Sequence, residues 1–219
     1  MKNTKTVEKI NKALLKFNKA LLKSNAVFKN ATKAEKRVMI AKDVLAQIKA
    51  KRYIPESGTW VDANWNIRGG IDEIHETDSV QKLFADRTIE TCSVCALGGL
   101  FMSCTNLNNN TCVSDINYGG EGNLLGEKIQ EGDTLSNGLN KIFSKKQLQL
   151  IEVYFEKGDG WFGEDGYTGV YIGEDSRHVE YFNDAYPDDD ERLVEIMKNI
   201  VANDGTFVPS KLKIPLYKK

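Results

Sequence analysis

The most apolar stretch of the chain, ETCSVCALGGLFMSC at residues 90–104, constrains the fold most strongly, because a run of this composition has to be buried. Four of its residues have the i, i+3, i+4 and i+7 spacing of one helix face: Cys95, Gly98, Gly99 and Met102. A glycine inside a helix costs about 1 kcal/mol relative to alanine, so two in a row indicate that another element packs very closely. The stretch therefore predicts a central buried helix over residues 91–104.

The cysteines raise the question of a metal site. Cys92 and Cys95 have the short spacing of a zinc-binding pair, whereas seven residues separate Cys104 from Cys112. On a continuous helix Cys95 and Cys104 are nine steps of about 100° apart, so they face opposite sides. We therefore expect no metal and no other cofactor, and we expect free thiols in a reducing compartment.

A catalytic cysteine is the alternative interpretation of the same stretch. Cys92 or Cys95 near a helix N-terminus would have its thiolate stabilised by the helix dipole. His178, with Asn183 or Asp184 after it, follows in the order that cysteine hydrolases often use. Many chains of this size contain such a combination. We therefore favour packing over catalysis and keep a cysteine-dependent hydrolase as an alternative function.

The charge is divided sharply along the chain. Residues 1–53 contain 15 Lys or Arg against 3 Asp or Glu, a net charge of +12, and residues 54–219 have a net charge of -13. A basic arm of this kind can bind nucleic acid or an anionic membrane surface. Because the two charges nearly cancel, we favour docking of the basic part on the acidic body, and nucleic-acid binding stays an alternative.

The basic part predicts a helical hairpin. The hexapeptide NKALLK occurs at 11–16 and again at 18–23, and the apolar residues around it follow 3,4 spacing: Val7, Ile10, Leu14, Phe17 and Leu21. Thr32 with Glu35 fits a capping box that starts a second helix, which runs to about residue 51. We therefore expect a basic amphipathic hairpin over 1–52 and an acidic globular domain over 53–219, which can pack as one unit.

The acidic part contains signals for further helices and short strands. Turn residues over 53–90 predict loops or short strands with a short helix near 78–86, and HVEYF at 178–182 reads as a short strand. Ser144 predicts the start of one helix, and Asp188–Asp190 with Gly205 predict the start and end of the last one. The expected fold class is α+β, predominantly α-helical, with a central buried Cys/Gly helix, short strands and the N-terminal hairpin.

Two segments contribute candidate ligand-binding residues. Aromatic residues near glycines can form a binding platform or anchor the core, and lysines on the hairpin can bind anions: Trp60, Trp65, Trp161, Tyr167, Lys12, Lys16 and Lys19. The sequence contains no P-loop, GxGxxG, HExxH or EF-hand pattern. It also contains no apolar run of the roughly 20 residues that span a bilayer and no secretory signal, so we expect a cytoplasmic protein.

Three segments together resemble a domain family of unknown function found in bacteria and phages. They are RYIPESGTWV at 52–61, CALGGL at 95–100 and YFNDAYPDDDERLVEIMKNIV at 181–201. Members of that family have a Cys-x-x-Gly-Ala-Leu helix and a later aromatic-Asn-Asp motif. The resemblance covers residues 36–203, and this chain differs by having Gly99 where alanine is usual. It implies a mostly helical domain with the Cys95 helix at its centre, and it implies no particular chemistry.

These observations favour a non-catalytic intracellular accessory protein that binds a partner protein or a small anionic ligand. A phage-encoded protein that sequesters an anionic host signal is one concrete version. The N-terminal helices can also join copies of the chain into a homo-oligomer. The alternatives are the cysteine-dependent hydrolase and nucleic-acid binding through the basic helices, which would weaken steeply as salt is added.

Overall fold

Helices and a small sheet alternate along the chain. The computed structural model describes residues 23, 25–65, 75, 78–108, 139–156 and 176–214. The helices are α1 (Lys33–Lys49), α2 (Val80–Ala85), α3 (Ala96–Asn108), α4 (Lys145–Phe155), α5 (Ser176–Ala185) and α6 (Asp189–Ala202). The strands are β1 (Tyr53–Pro55), β2 (Val61–Trp65) and β3 (Ile89–Val94), and a short 3-10 turn covers Pro209–Lys211. The predicted α+β fold, predominantly α-helical, is confirmed.

The helical part before β1 is built around a capped turn. Residues 25–30 are helical, and α1 begins after Thr32. The Thr32 side chain accepts a hydrogen bond from the Glu35 N–H, and the Glu35 carboxylate accepts one from the Thr32 N–H, so the predicted capping box is confirmed. The first predicted helix of the hairpin, at residues 7–21, lies outside the described residues.

The sheet has three strands in the order β1-β3-β2. The central strand β3 is parallel to β1 and antiparallel to β2, and Cys92 pairs with Tyr53 on one side and Ala63 on the other. The prediction that residues 91–94 are helical is therefore wrong. Ile89, Cys92 and Val94 are buried at the centre of the sheet, and pairing on both sides supplies the backbone hydrogen bonds that a helix would otherwise have made.

Helix α3 lies at the centre of the molecule, as the apolar stretch predicts. It packs against α1, α2, α4 and all three strands. Its residues from Ala96 to Thr105 are buried, and Leu100 and Met102 are completely inaccessible. The buried helix is confirmed, but it begins at Ala96, after the strand and a single connecting residue.

Three helices in the last third of the chain complete the core. Helix α4 follows its predicted N-cap Ser144, and α6 begins after Asp188, with Leu193, Ile196, Met197 and Ile200 on its buried face. The prediction of a short strand at 178–182 is wrong, because those residues belong to α5.

No helix within the described ranges is long and apolar enough to cross a membrane.

Candidate functional site

The three described thiols are buried in the core. Cys92 lies in β3, Cys95 connects β3 to α3, and Cys104 lies on α3. Burial raises the pKa of each thiol to about 12, which keeps the sulfur protonated near neutral pH. This environment is unfavourable for a nucleophile and for a metal ligand. Within the described ranges no three His, Cys, Asp or Glu side chains are grouped to hold a metal ion, and Cys112 lies outside them.

The predicted partners of a catalytic cysteine lie on α5. The His178 ring is half-buried, and its Nδ1 lies 2.8 Å from the hydroxyl oxygen of Tyr154, at hydrogen-bonding distance. Asn183 has a buried Oδ1 with no hydrogen-bond partner in the described part of the chain, and Asp184 is exposed. His178 is thus paired with a core tyrosine, and its hydrogen bond goes to α4 and not to the cysteine segment.

The glycine pair of α3 explains how the helix packs. A Cβ atom on Gly98 would lie 1.7 Å from the backbone oxygen of Trp60, whereas a Cβ on Gly99 would meet nothing closer than 3.6 Å, at Val94. The backbone next to β2 therefore approaches α3 at Gly98, which confirms the close contact predicted from the sequence. Gly99 has room for a methyl group.

The predicted binding aromatics fall in different places. The Trp60 ring stacks on Phe101 with 5.4 Å between ring centroids, and its indole nitrogen is buried without a hydrogen-bond partner among the described residues. Trp60 thus packs as part of the core. Trp65 ends β2, where its backbone pairs with Ile89. The remaining candidates lie outside the described residues and stay predictions: Trp161, Tyr167, Lys12, Lys16 and Lys19.

A buried carboxyl group was not predicted from the sequence. Glu152 on α4 is only 7% exposed, and its Oε2 has no hydrogen-bond partner in the described part of the chain. Burial, together with the nearby Glu156 carboxylate, raises the pKa of Glu152 to about 8. Glu156 in turn accepts a hydrogen bond of 2.9 Å from the N–H of Gly58. Glu152 therefore holds a proton at neutral pH, which removes the cost of a buried charge.

An open apolar groove lies beside the N-terminal part of α1 and has a volume of about 910 Å³. We call it the hairpin groove, and its apolar lining comes from residues 26–31 and from α1: Ala26, Val27, Ala31, Ala34, Val38 and Met39. Charged side chains also line it: Lys23, Glu35 and Asp204. Val27 is 54% exposed, which is unusual for a large apolar side chain next to other apolar residues.

The hairpin groove is fixed in place by contacts behind it. The Arg37 guanidinium donates hydrogen bonds to the carbonyl of Gly205, at 2.6 Å, and to that of Ile142, at 2.8 Å. Gly205 has a positive φ of 83°, and a Cβ there would lie 2.5 Å from the backbone oxygen of Ala34. The C-terminal end of α6 is therefore held directly against α1, which places Asp204 at the groove.

The groove was missed because most of its apolar residues lie off the apolar faces predicted for the hairpin; Val38 is an exception, since it belongs to the apolar side predicted for the second helix. Ala26 and Val27 are adjacent to the buried Phe28, but they point to another side of the helix. Ala34 and Val38 are separated by the i, i+4 spacing that places them on one face of α1. That spacing is the sequence feature that indicates the groove. It is a weak indication, because an alanine side chain is small and adds little to an apolar pattern.

Comparisons with known proteins give no match, so a functional proposal has to rest on the geometry of the site. No family model matches the chain, and no match was found among curated proteins or solved structures. The resemblance to the bacterial and phage domain family therefore stays a prediction.

Proposed function

We propose that the chain is a non-catalytic binding protein that receives an amphipathic helix of a partner protein in the hairpin groove. The observation that supports the proposal is the groove itself. It is open, mostly apolar and about 910 Å³ in volume, and it lies beside a packed apolar core. Exposed apolar surfaces of this kind mark interaction sites in water-soluble folds.

The shape and chemistry of the groove suit a helix. Helices dock on such surfaces by placing apolar side chains at i, i+3, i+4 and i+7 into an apolar groove. Ala26, Ala31 and Ala34 are short enough to let the backbone of a second helix come close, and Val38 and Met39 offer larger apolar contacts. Methionine adapts its shape to different partners.

Two observations favour binding over catalysis. The thiol pKa values near 12 leave very little thiolate at neutral pH, so the hydrolase alternative lacks an activated nucleophile. The hydrogen bond of the His178 ring also goes to Tyr154 on α4 and not to a cysteine. Binding of small anions or nucleic acid through the N-terminal lysines stays a prediction, as does a phage origin.

The proposal can be tested with a designed helical probe. We suggest a fluorescein-labelled peptide of leucines at 3,4 spacing with lysine and alanine elsewhere, titrated with the full chain and followed by fluorescence anisotropy. Ala34→Glu or Val38→Glu places a carboxylate in the lining, and each is expected to weaken binding at least tenfold. Ala46→Glu is the matched control, because Ala46 is exposed on the same helix and does not line the groove.

Two results would contradict the proposal. The first is saturable binding that is equally strong in Ala34→Glu, Val38→Glu and Ala46→Glu, because the peptide would then bind elsewhere. The second is no binding by the monomeric wild-type chain at any peptide concentration at which the peptide is itself helical and monomeric. Circular dichroism of each variant checks that the helical fold is retained.

A further inference from the structure

We infer that the helix received by the hairpin groove is the N-terminal segment, residues 7–21, of a second copy of this chain. The inference rests on the proposed function and names the partner for the same groove. It predicts a homodimer in which each copy contributes one groove and one segment.

The segment has the pattern that the groove requires. Its apolar residues follow 3,4 spacing over two heptads and include Leu14 and Phe17, which are typical anchors of a docked helix. As a helix, residues 7–21 would be about 22 Å long, whereas the part of α1 that lines the groove, Ala34 to Met39, is about 9 Å long. The groove can therefore take up about two turns of the segment.

The position where the segment joins the described chain favours a second copy. Lys23 lines the groove, and residues 25–30 are already helical, so residues 1–22 attach at the groove's own edge. Leu21 and Phe28 are seven residues apart, which places them on the same side of a continuous helix. Phe28 is buried in the core of its own chain, while Val27 lines the groove. On such a helix the apolar stripe would lie about 100° from the side that carries Val27 and would not turn into its own groove, so a second copy is the source that we infer for the docked stripe.

Charged side chains in the lining can orient the same partner. Residues 1–22 contain six lysines and one glutamate, a net charge of +5. Glu35 and Asp204 line the groove and can pair with lysines of the docked segment. Residues 23–39 as a whole carry five Lys or Arg against one Glu, so these pairs fix orientation and the apolar contacts supply the affinity.

Reciprocal docking gives a closed assembly. If the segment of each copy enters the groove of the other, the two contacts are related by a two-fold axis, and no free groove is left. A dimer is therefore the expected end point, and larger open chains of subunits are not.

Disulfide trapping between two different variants tests the arrangement. Ala13→Cys and Ala20→Cys each place a thiol beside the stripe without removing an apolar anchor, and Ala34→Cys places one in the groove. Ala13→Cys or Ala20→Cys is mixed with Ala34→Cys and oxidised. Each mixture should give a crosslinked dimer of twice the 24.6 kDa chain mass, which is absent when a single variant is oxidised. In the control mixture Ala46→Cys takes the place of Ala34→Cys, and the yield of crosslinked dimer should be at least tenfold lower.

Light scattering of the unmodified chain completes the test. We expect a dimer, which Ala34→Glu converts to monomer and Ala46→Glu does not. The inference is overturned if the wild-type chain is monomeric, or if Ala13→Cys or Ala20→Cys crosslinks as strongly alone as in the mixture, because the N-terminal segments would then pair with each other. If the chain is monomeric but the designed peptide still binds the groove, the inference fails and the proposed function stands. If the chain is monomeric and the peptide does not bind, both fail.

Discussion

At the scale of single residues, the two neighbouring glycines of α3 have opposite roles. Gly98 is required by a contact, because the Trp60 carbonyl occupies the space of a side chain. Gly99 meets only ordinary van der Waals distances, from 3.6 Å at Val94 to 3.9 Å at Leu193. The sequence alone cannot separate the two, since both have the same neighbours along the helix.

This difference predicts opposite effects of the same substitution. Gly98→Ala should destabilise the fold by about 1–3 kcal/mol, because the Trp60 backbone must move away. Gly99→Ala should stabilise it by up to about 1 kcal/mol, because alanine favours the helix and fits the space. Urea unfolding of both variants and the wild type measures the two effects. Changes of the same sign would contradict the packing described here.

Glu152 predicts a dependence of stability on pH. In the unfolded chain its pKa is near the ordinary 4.5, and in the folded chain burial raises the pKa to about 8. Between these values the folded state binds one more proton than the unfolded state, so the free energy of unfolding falls by up to about 1.4 kcal/mol per pH unit as pH rises. Besides burial, the group that raises the pKa of Glu152 is the carboxylate of Glu156, the residue that caps the end of α4.

Glu152→Gln should remove this part of the pH dependence. Near pH 5 the free energy of unfolding of the variant should equal that of the wild type, because the Glu152 carboxyl is then neutral in the folded chain. Above pH 8 the variant should be more stable, because the wild type then buries a charge. Urea unfolding across this pH range measures the difference. Glu180→Gln, at an exposed position on α5, is the control and should follow the wild type. Parallel curves for wild type and Glu152→Gln would refute the prediction.

At the scale of elements, the sequence predicted best where local chemistry decides the structure. Thr32 and Ser144 begin helices because their side chains accept a backbone N–H, and both signals are visible in four residues. Helix α6 has acidic residues at its start, a 3,4 apolar pattern and Gly205 at its end. Each of these features acts within one or two helical turns, so no knowledge of distant contacts was needed.

The errors occurred where distant contacts decide. Residues 91–94 continue the apolar pattern of α3, and only pairing with β1 and β2 makes them a strand. In α5, HVEYF alternates like a strand, but Val179 and Phe182 are buried three residues apart and the exposed Tyr181 lies between them, as on a helix. The hairpin groove was missed for the same reason, since part of its boundary comes from Asp204 at the other end of the chain.

The start of α1 provides a test at this scale. Thr32→Ala removes the side-chain oxygen that accepts the Glu35 N–H and should destabilise the fold by about 1 kcal/mol. Thr32→Ser retains an oxygen at the same place and should cost no more than a few tenths of a kcal/mol. Thermal unfolding of both variants measures the comparison. Equal losses would mean that the threonine methyl group, and not the cap, carries the effect.

At the scale of the whole molecule, one core joins the basic and the acidic parts of the chain. Helix α1 packs against α3 and α6, and Ile40, Ala41 and Val44 belong to the same apolar cluster as the residues of α6. Apolar contacts of residues 25–49 therefore hold the basic part of the chain against the acidic part.

A single buried arginine ties several distant segments of the acidic part together. Arg192 on α6 is fully buried and donates hydrogen bonds to the carbonyls of Phe155, Tyr186 and Pro187 and to the hydroxyl of Ser57. It also pairs with the Asp189 carboxylate, which in turn accepts hydrogen bonds from Ser57. The guanidinium thus connects the end of α4, the α5–α6 connection and the turn after β1. Five donors in a planar fork make arginine the residue suited to this role.

Arg192→Met should therefore destabilise the fold by about 3–5 kcal/mol, because several buried acceptors and one carboxylate lose their partner at once. Lys198→Met on the same helix is the matched control, because Lys198 also forms an i, i+3 ion pair, with Glu195. The Lys198 side chain is 58% exposed, so the loss of stability should stay below about 1 kcal/mol. If Arg192→Met does not fold, Arg192→Lys, which retains the charge but not the fork, should give a smaller loss of about 1–3 kcal/mol. Urea unfolding measures all three variants. An Arg192→Lys chain as stable as Lys198→Met would show that the charge alone is sufficient and that the hydrogen-bonded fork does not hold these segments together.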